Sequence, residues 1–517
     1  MQPESVGAMA KYKSYDYSQE VMIPVSLEDQ LIPGTLEFAI HTLVETRMDT
    51  SLFDERYSND ETGRWAYNPK ILLKVVLFGY SRGLISSRKI ERACRENVTF
   101  MALSCGQYPD HSTIAAFVSS MRDEILPLFR DVLVVCEQEN LLGGTFFALD
   151  GSKLPSNASK AWSGTISDLQ RKMGKIEKKV AHLIEQQVEA DQRDDETNER
   201  PRDGSQRRDH IERLRKKAER IERFLKDNGP KIGRQGREIT SNITDNESAK
   251  MMTSHGTIQG YNGQALVDNK HQVIVYGEAF GEGQDHSHVP PMLDGAKETM
   301  HAIGHDKEYF EGKILVADSN YHSPATLNKC EDEHLDAYIP DTNFRTRDPR
   351  FQTQQRWRPH RGKRFTVEDF HRDESIDAYG CPQGKMLTRR VSRFITDGIV
   401  YRGYVADEKD CKGCHLRGRC LRGKSAKRRY LNVPIGHVSG NLTKEMAEKI
   451  DTDKGRSIYH QRLAIAEPVF ANIRHAKRLD RFTLRGKIKV TIQWLLYCMV
   501  HNIGKSVNYG CTNYGFT

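Results

Sequence analysis

Two aspartates and a glutamate are the residues of this chain best placed to do chemistry. Asp150 ends the apolar run Thr145-Phe146-Phe147-Ala148-Leu149, and Asp318 ends another, Ile314-Leu315-Val316-Ala317. A short β-branched or aromatic run bounded by turn residues reads as a buried strand, and an acid at its exit stands at the sheet edge where ligands gather. Two such acids can share divalent cations. A third carboxylate from a helix, for which Glu467 is the candidate, would complete a site suited to phosphoryl transfer, where paired metals clamp the attacking and leaving oxygens. Carboxylates suit two Mg²⁺ or Mn²⁺ ions, hard cations that prefer oxygen. The plain alternative for each acid is a turn or cap residue.

A second constellation is made of cysteine. Cys411-Lys412-Gly413-Cys414 is followed by Cys420, and Cys381 lies upstream in Gly380-Cys381-Pro382-Gln383-Gly384. In a reducing compartment such clustering favours metal over disulfide. Four thiolates could hold a tetrahedral Zn²⁺ at ~2.3 Å and staple a segment with little core of its own. His415 is the alternative fourth ligand, an iron–sulfur cluster the alternative occupant, and free thiols the plain reading. Cys94, Cys105, Cys136, Cys330, Cys498 and Cys511 are scattered and read mostly as small buried apolar residues.

The elements that must position these residues follow from pattern. Over 69–140 the chain reads as several short helices: Pro69 fits a first helical position, Gly83 a stop, Ser87 opens the next helix, and Ser112 can cap a third containing Ile114, Phe117 and Met121. Such helices suit a helix-turn-helix or, equally, a plain bundle. From 166 to 230, apolar residues at three- and four-residue steps predict two amphipathic helices folded back through a mobile polar tip, Ala190 to Asp209. Gln264–Val267 and Gln272–Tyr276 read as a hairpin around Asp268-Asn269-Lys270, followed by a helix over 290–301, the strand ending in Asp318, and a short strand at 337–339. A last helical part begins near Ser457. Pro468 directly after Glu467 cannot donate to residue 464, so this helix should restart or kink there. Strand, hairpin, helix, strand, strand and a helical C-terminus is the order of a ribonuclease-H-like α/β fold: a mixed sheet with flanking helices. The predicted division is a helical DNA-binding part over 1–140, the catalytic core over 141–165, 246–340 and 456–505, a helical hairpin insertion over 166–245, and a basic cysteine-containing insertion over 341–455.

Composition sets the outer bounds. The 517 residues are too many for one core, and 37% hydrophobic against 29% charged residues implies globular parts with extended solvated segments. The longest apolar stretches, 71–80 and 491–503, fall short of the ~20 residues that span a bilayer. Met1-Gln2-Pro3-Glu4 shows no basic-then-apolar export pattern, so a cytoplasmic, nucleoid-associated location is expected. The net charge of +8 is gathered in 345–364, 385–429 and 474–489. Such clusters suit phosphate backbones, giving salt-sensitive binding with little sequence information. Trp357, between Arg356 and Arg358, could stack on an unpaired base or simply pack.

Six short motifs occur in order: Tyr67-Asn68-Pro69, Pro109-Asp110-His111-Ser112-Thr113-Ile114, Leu149-Asp150-Gly151-Ser152-Lys153, Gly260-Tyr261-Asn262, Ala317-Asp318-Ser319-Asn320-Tyr321 and Arg481-Phe482-Thr483-Leu484-Arg485-Gly486. Through them the chain, from about 65 to 505, resembles bacterial insertion-sequence transposases of the DDE class. The resemblance implies cutting and rejoining of double-stranded DNA at terminal inverted repeats and in target DNA, by a homodimer, with Asp150, Asp318 and Glu467 holding the metals. That family's C-terminal signature is Tyr, two residues, Arg, three residues, Glu, six residues, Lys. Here Tyr459, Arg462, Glu467 and Arg474 match it with one extra residue before Glu467 and Arg in place of Lys. Tyr459 and Arg462 would contact DNA near the active site and Arg474 a phosphate, with Lys477 and Arg478 extending the contact. The alternatives are a catalytically silent DNA-binding derivative and a metal-dependent nuclease that cuts without joining.

Overall fold

The computed structural model describes residues 26–56, 66–197, 205–233, 236–254, 256–351, 353–354, 364–396, 399–421, 423, 425–437 and 442–510. Trp357, Arg356, Arg358, Arg422, Lys424 and Cys511 lie outside them.

Six helices come first: α1 (Leu36–Thr46), α2 (Pro69–Ser81), α3 (Ser87–Glu96), α4 (Val98–Leu103), α5 (His111–Ser120) and α6 (Ile125–Gln138). Pro69 does open α2, behind an Asn68 cap, and Gly83 turns away from it with φ of 74°. The cap of α5 differs from expectation. Asp110 fills it, its carboxylate accepting from the amides of Ser112 and Thr113, because a charged acceptor suits the positive helix end better than a hydroxyl.

The central sheet begins with β1 (Phe146–Pro155). A two-residue pair, β2 (Ser163–Gly164) with β3 (Ser241–Asn242), closes the base of the hairpin formed by α7 (Ile166–Thr197) and α8 (Ser205–Asp227). These helices extend into the charged stretch expected to be a mobile tip. Its Glu, Gln and Arg residues tolerate helix well, so each helix runs past its apolar seam. The sheet continues with β4 (Ala249–Thr253), β5 (Gly256–Asp268) and β6 (Ile274–Phe280), then α9 (Val289–Ala302), β7 (Ile314–Ala317), α10 (Pro324–Asp332) and β8 (Asp336–Tyr338). Strand order is β4-β5-β1-β7-β8, with β6 also on β5. The β1–β5 pair is antiparallel, and the β1–β7 and β7–β8 pairs are parallel.

After α11 (Phe344–Arg347) comes a second, antiparallel sheet of β9 (His371–Asp373), β10 (Ala378–Gly380), β11 (Met386–Thr396), β12 (Ile399–Ala406) and β13 (Tyr430–His437), carrying the short helices α12 (Glu408–Lys412) and α13 (Arg417–Cys420). No strand was expected here. Register shifts between Arg389 and Phe394 break the two-residue alternation by which a strand is read. Its core is small: Phe370, Tyr379, Leu387, Tyr404, Ala406 and Leu431.

The chain ends in α14 (Leu442–Asp451), α15 (Asp453–Ala471), a π turn over Asn472–Ala476, and α16 (Lys487–Tyr509). Helix α15 starts four residues before the expected Ser457, capped by Thr452, and continues through Pro468 rather than restarting. The carbonyl of Ala464, which Pro468 cannot serve, accepts instead from Gln272 Nε2 at 2.9 Å. Helix α16 is the central post. Trp494 is fully buried against Gly263 and Gly277, where a Cβ would sit 3.0 and 3.1 Å from its ring atoms. The same helix packs on α2, α6 and β6, so the N-terminal helices and the central sheet share one core. Among the described residues no helix is long and apolar enough to cross a membrane.

Candidate active site

Parallel pairing brings the two aspartates together. Leu149 of β1 faces Ala317 of β7, so Asp150 and Asp318, the next residue on each, stand level where the β1–β7 pairing ends. Asp318 leaves the sheet there, whereas Asp150, expected at a strand exit, stays within β1 and pairs on its other side with Ala265 of β5. Asp150 Oδ1 accepts from the Gly151 amide at 2.8 Å. Asp318 caps the tight turn Ser319–Tyr321, accepting from the Ser319 amide at 2.6 Å. Both carboxylates are partly exposed, so the apolar strands present them at an open edge.

Helix α15 packs on β1 and β7 and supplies the counter-charge. Arg462 Nη1 lies 2.6 Å from Asp150 Oδ2, the arginine side chain 10% and the aspartate side chain 22% exposed. Burial, with Asp318 adding to it, pushes the Asp150 carboxyl up to about 6 against the pull of Arg462. One turn earlier Tyr459 packs its ring edge-on to Phe344. Burial and then the charge of Asp318 push its hydroxyl up to about 12. Beside them a recess is lined by Arg345, Arg350, Arg456, Tyr459 and Arg462.

The remaining predicted residues fall in different surroundings. Glu467 is exposed on α15; at about 100° per residue it lies roughly 140° around the helix from Arg462, so the two do not share a face. Arg474, in the π turn, and Arg478, with φ of 54°, are exposed. Lys477 is turned inward: it is 8% exposed, its ammonium donates to Asn472 Oδ1, and burial lowers it to about 8. Cys381, Cys411 and Cys420 line the small core of the second sheet, and the Cys420 thiol is raised by burial and by Cys411, Cys381 and Cys414 around it. All four are free thiols. Of the scattered cysteines Cys94, Cys136, Cys330 and Cys498 are buried, whereas Cys105 is exposed. Among the described residues, no three His, Cys, Asp or Glu side chains already stand in metal-holding geometry.

Sequence reading missed Asp285, Asn262, Gln264 and the hydroxyl of Tyr321, which lie under the aspartate pair. The motifs Gly260-Tyr261-Asn262 and Ala317-Asp318-Ser319-Asn320-Tyr321 contain Asn262 and Tyr321, but gave neither side chain a role. Two polar residues alternating within an otherwise apolar strand were the available signal.

Family models match three stretches of the chain. Two models described as a transposase DDE domain match residues 240–375 and 380–507, which contain Asp318 and Glu467 respectively, and a transposase domain (DUF772) matches residues 25–120. No curated protein matches the chain. Helical N-terminal region, mixed sheet with two acids at one edge, and these matches place the chain among the DDE transposases of insertion sequences.

Proposed function

We propose that Asp150, Asp318 and Glu467 are the metal-holding acids with which this transposase cuts DNA at the ends of its element and joins them to a target. The observation that carries the reading is the placement of Asp150 and Asp318 side by side where the parallel pairing of two neighbouring strands ends. The donors fit hard divalent cations, Mg²⁺ or Mn²⁺: they are carboxylate oxygens, and burial makes the charge on Asp150 costly without a cation beside it. Bound there, two such ions would neutralise phosphate charge and lower the pKa of an attacking water or 3′ hydroxyl. The chain's own residues do the rest. Arg462 holds Asp150 in place, Tyr459 and Arg462 face the DNA strand beside the pair, and Arg474 and Arg478 meet phosphates further out.

Glu467 joins this site by a local rearrangement of α15. Pro468 and the π turn that follows interrupt the backbone bonding of the C-terminal half of the helix, so this is where it would unwind to carry Glu467 through the roughly 140° that separates it from the face of Arg462. Its carboxylate makes no ion pair or hydrogen bond among the described residues and is available. In the second sheet, Cys381, Cys411, Cys414 and Cys420 would hold a structural Zn²⁺. Their mutual proximity and the amide of Lys385, which donates to Cys381 Sγ at 3.3 Å, support that assignment. The protein acts on double-stranded DNA as a homodimer, close to the nucleoid.

Strand transfer on duplexes carrying the inverted repeats that flank the coding region tests the reading. Wild type should give joined product, and Asp150→Asn, Asp318→Asn and Glu467→Gln should each give bound but uncut DNA. Joined product from any of the three removes that residue from the site.

A further inference from the structure

We infer that Asp285 is a positioning residue for the aspartate pair, an inference that rests on the metal-holding reading of Asp150 and Asp318. Asp285 lies between β6 and α9, its side chain 11% exposed. Its Oδ1 accepts from Asn262 Nδ2 at 2.5 Å and from Gln264 Nε2 at 3.1 Å. Both amides are fully buried on β5, two residues apart and therefore on one face of the sheet.

That face lies directly under the first aspartate's strand. Gln264 pairs with Gly151 and Asn262 with Lys153. A Cβ at Gly151 would stand 2.1 Å from Gln264 Nε2 and 2.8 Å from Asn262 Oδ1, so the two amides lie against the backbone of the residue after Asp150. The other end of Gln264 reaches the second aspartate: its Oε1 accepts from the buried hydroxyl of Tyr321, the last residue of the turn that Asp318 caps.

A carboxylate only accepts, so Asp285 dictates which way round both amides stand. It turns Gln264 Nε2 toward itself and leaves Oε1 for Tyr321. It also holds Asn262 Nδ2, leaving Asn262 Oδ1 buried with no hydrogen-bond partner. An orphaned acceptor costs stability, and tolerating one here is consistent with an orientation kept for the site above it. Lys153, on β1 itself, brings its ammonium 3.9 Å from Asp285 Oδ2 and supplies the counter-charge. The connection Asp285, Gln264, Tyr321 thus ties the backbone of both metal-holding acids to one loop carboxylate.

Titration of the full-length protein with Mn²⁺ alone, followed by the electron paramagnetic resonance of the free ion, tests this. Removal of a group that orients metal ligands typically weakens metal affinity about 10–100-fold, and Asp285→Ala should fall in that range. Asp285→Asn keeps an oxygen acceptor for both amides and should bind like wild type. Tyr321→Phe removes only the hydroxyl link and should weaken binding in the same direction; it decides the matter if Asp285→Ala does not fold. Wild-type Mn²⁺ binding by Asp285→Ala, or by Tyr321→Phe in its place, overturns the inference. So does an Asp285→Asn as weak as Asp285→Ala, which would make Asp285 a ligand. Asp150→Asn is the control: if it still binds Mn²⁺ as wild type does, the metal-holding reading has failed, whereas its loss beside an unaffected Asp285→Ala fells only the positioning role.

Discussion

Arg462 and Asp150 stand 312 residues apart in the chain and 2.6 Å apart in space. The contact fastens the C-terminal helix to the first strand of the sheet, yet it does not fully offset the burial of the carboxylate. Asp150 has its pKa raised from 3.8 to about 6 by burial and by Asp318. A raised acid stabilises the fold fully only below its unfolded value near 3.8, and that contribution is lost as pH rises through 6. Above that pH the ionised form costs up to about 3 kcal/mol, at 1.36 kcal/mol per unit.

Asp150→Asn removes that charge while keeping the shape. It should therefore melt higher than wild type at pH 8 without divalent cation, and the gain should shrink as pH is lowered toward 4. Calorimetric melts at a series of pH values check this. An Asp150→Asn protein that melts at or below wild type at pH 8 would show that Arg462 already compensates the charge.

Removing Arg462 acts in the opposite sense on the acid. Without the guanidinium, Asp150 holds its proton to higher pH, so the acid limb of the cleavage rate should move upward in Arg462→Ala. A pH–rate profile superimposable on wild type would mean that cation binding, not Arg462, sets the ionisation of Asp150.

Gln272 repairs the gap that Pro468 opens in α15. Its Nε2 donates to the Ala464 carbonyl while its Oε1 accepts from Lys505 at 2.8 Å. Gln272→Ala should cost about 0.5–1.5 kcal/mol, the usual net worth of an intramolecular hydrogen bond. Pro468→Ala restores a backbone donor for Ala464, so the same Gln272→Ala change should cost less in that background. Denaturant unfolding of the four proteins gives the coupling, and strictly additive costs would sever the two residues.

This compensation marks the limit of what was legible beforehand. Asp150 and Asp318 could be read because each ends a continuous apolar run, a local signal, and parallel pairing of neighbouring strands then sets them level. The strands β9 to β13 and the run of α15 through Pro468 were not legible. Each depends on a partner far away in sequence or on a bulge that erases periodicity. For Lys477 the local pattern misleads: it sits in a basic stretch, but the π turn directs it inward to Asn472. Gln264 and Asp285 are silent in sequence because their meaning lies in which amide each orients.

His501 makes the core acid-sensitive. It is 2% exposed, with Nε2 2.9 Å from the Gln272 carbonyl and Nδ1 3.1 Å from Asn472 Oδ1, and burial lowers it to about 3. A histidine kept neutral by the fold leaves stability intact above its unfolded value near 6.5 and withdraws it as pH falls toward 3. Between pH 6.5 and 5 the loss from this residue is about 2 kcal/mol. His501→Gln should flatten that part of the stability profile even if it lowers the plateau. An equally steep profile in the variant would place the sensitivity elsewhere.

The second sheet gives the last prediction, because its six-residue core is too small to hold five strands unaided. Zinc bound by Cys381, Cys411, Cys414 and Cys420 would join the β10–β11 turn to α12 and α13, beside the Lys385–Asp410 ion pair at 3.8 Å. Purified protein should carry one zinc per chain. Cobalt substitution should give the intense visible absorption of a tetrahedral thiolate site, and Cys411→Ser should weaken it. A chelator should expose the protease-sensitive backbone of 364–437 while leaving the main core, with Asp150 and Asp318, protected. Metal-free protein that resists proteolysis there as well as wild type does would mean that the thiols pack as small apolar groups and hold no ion.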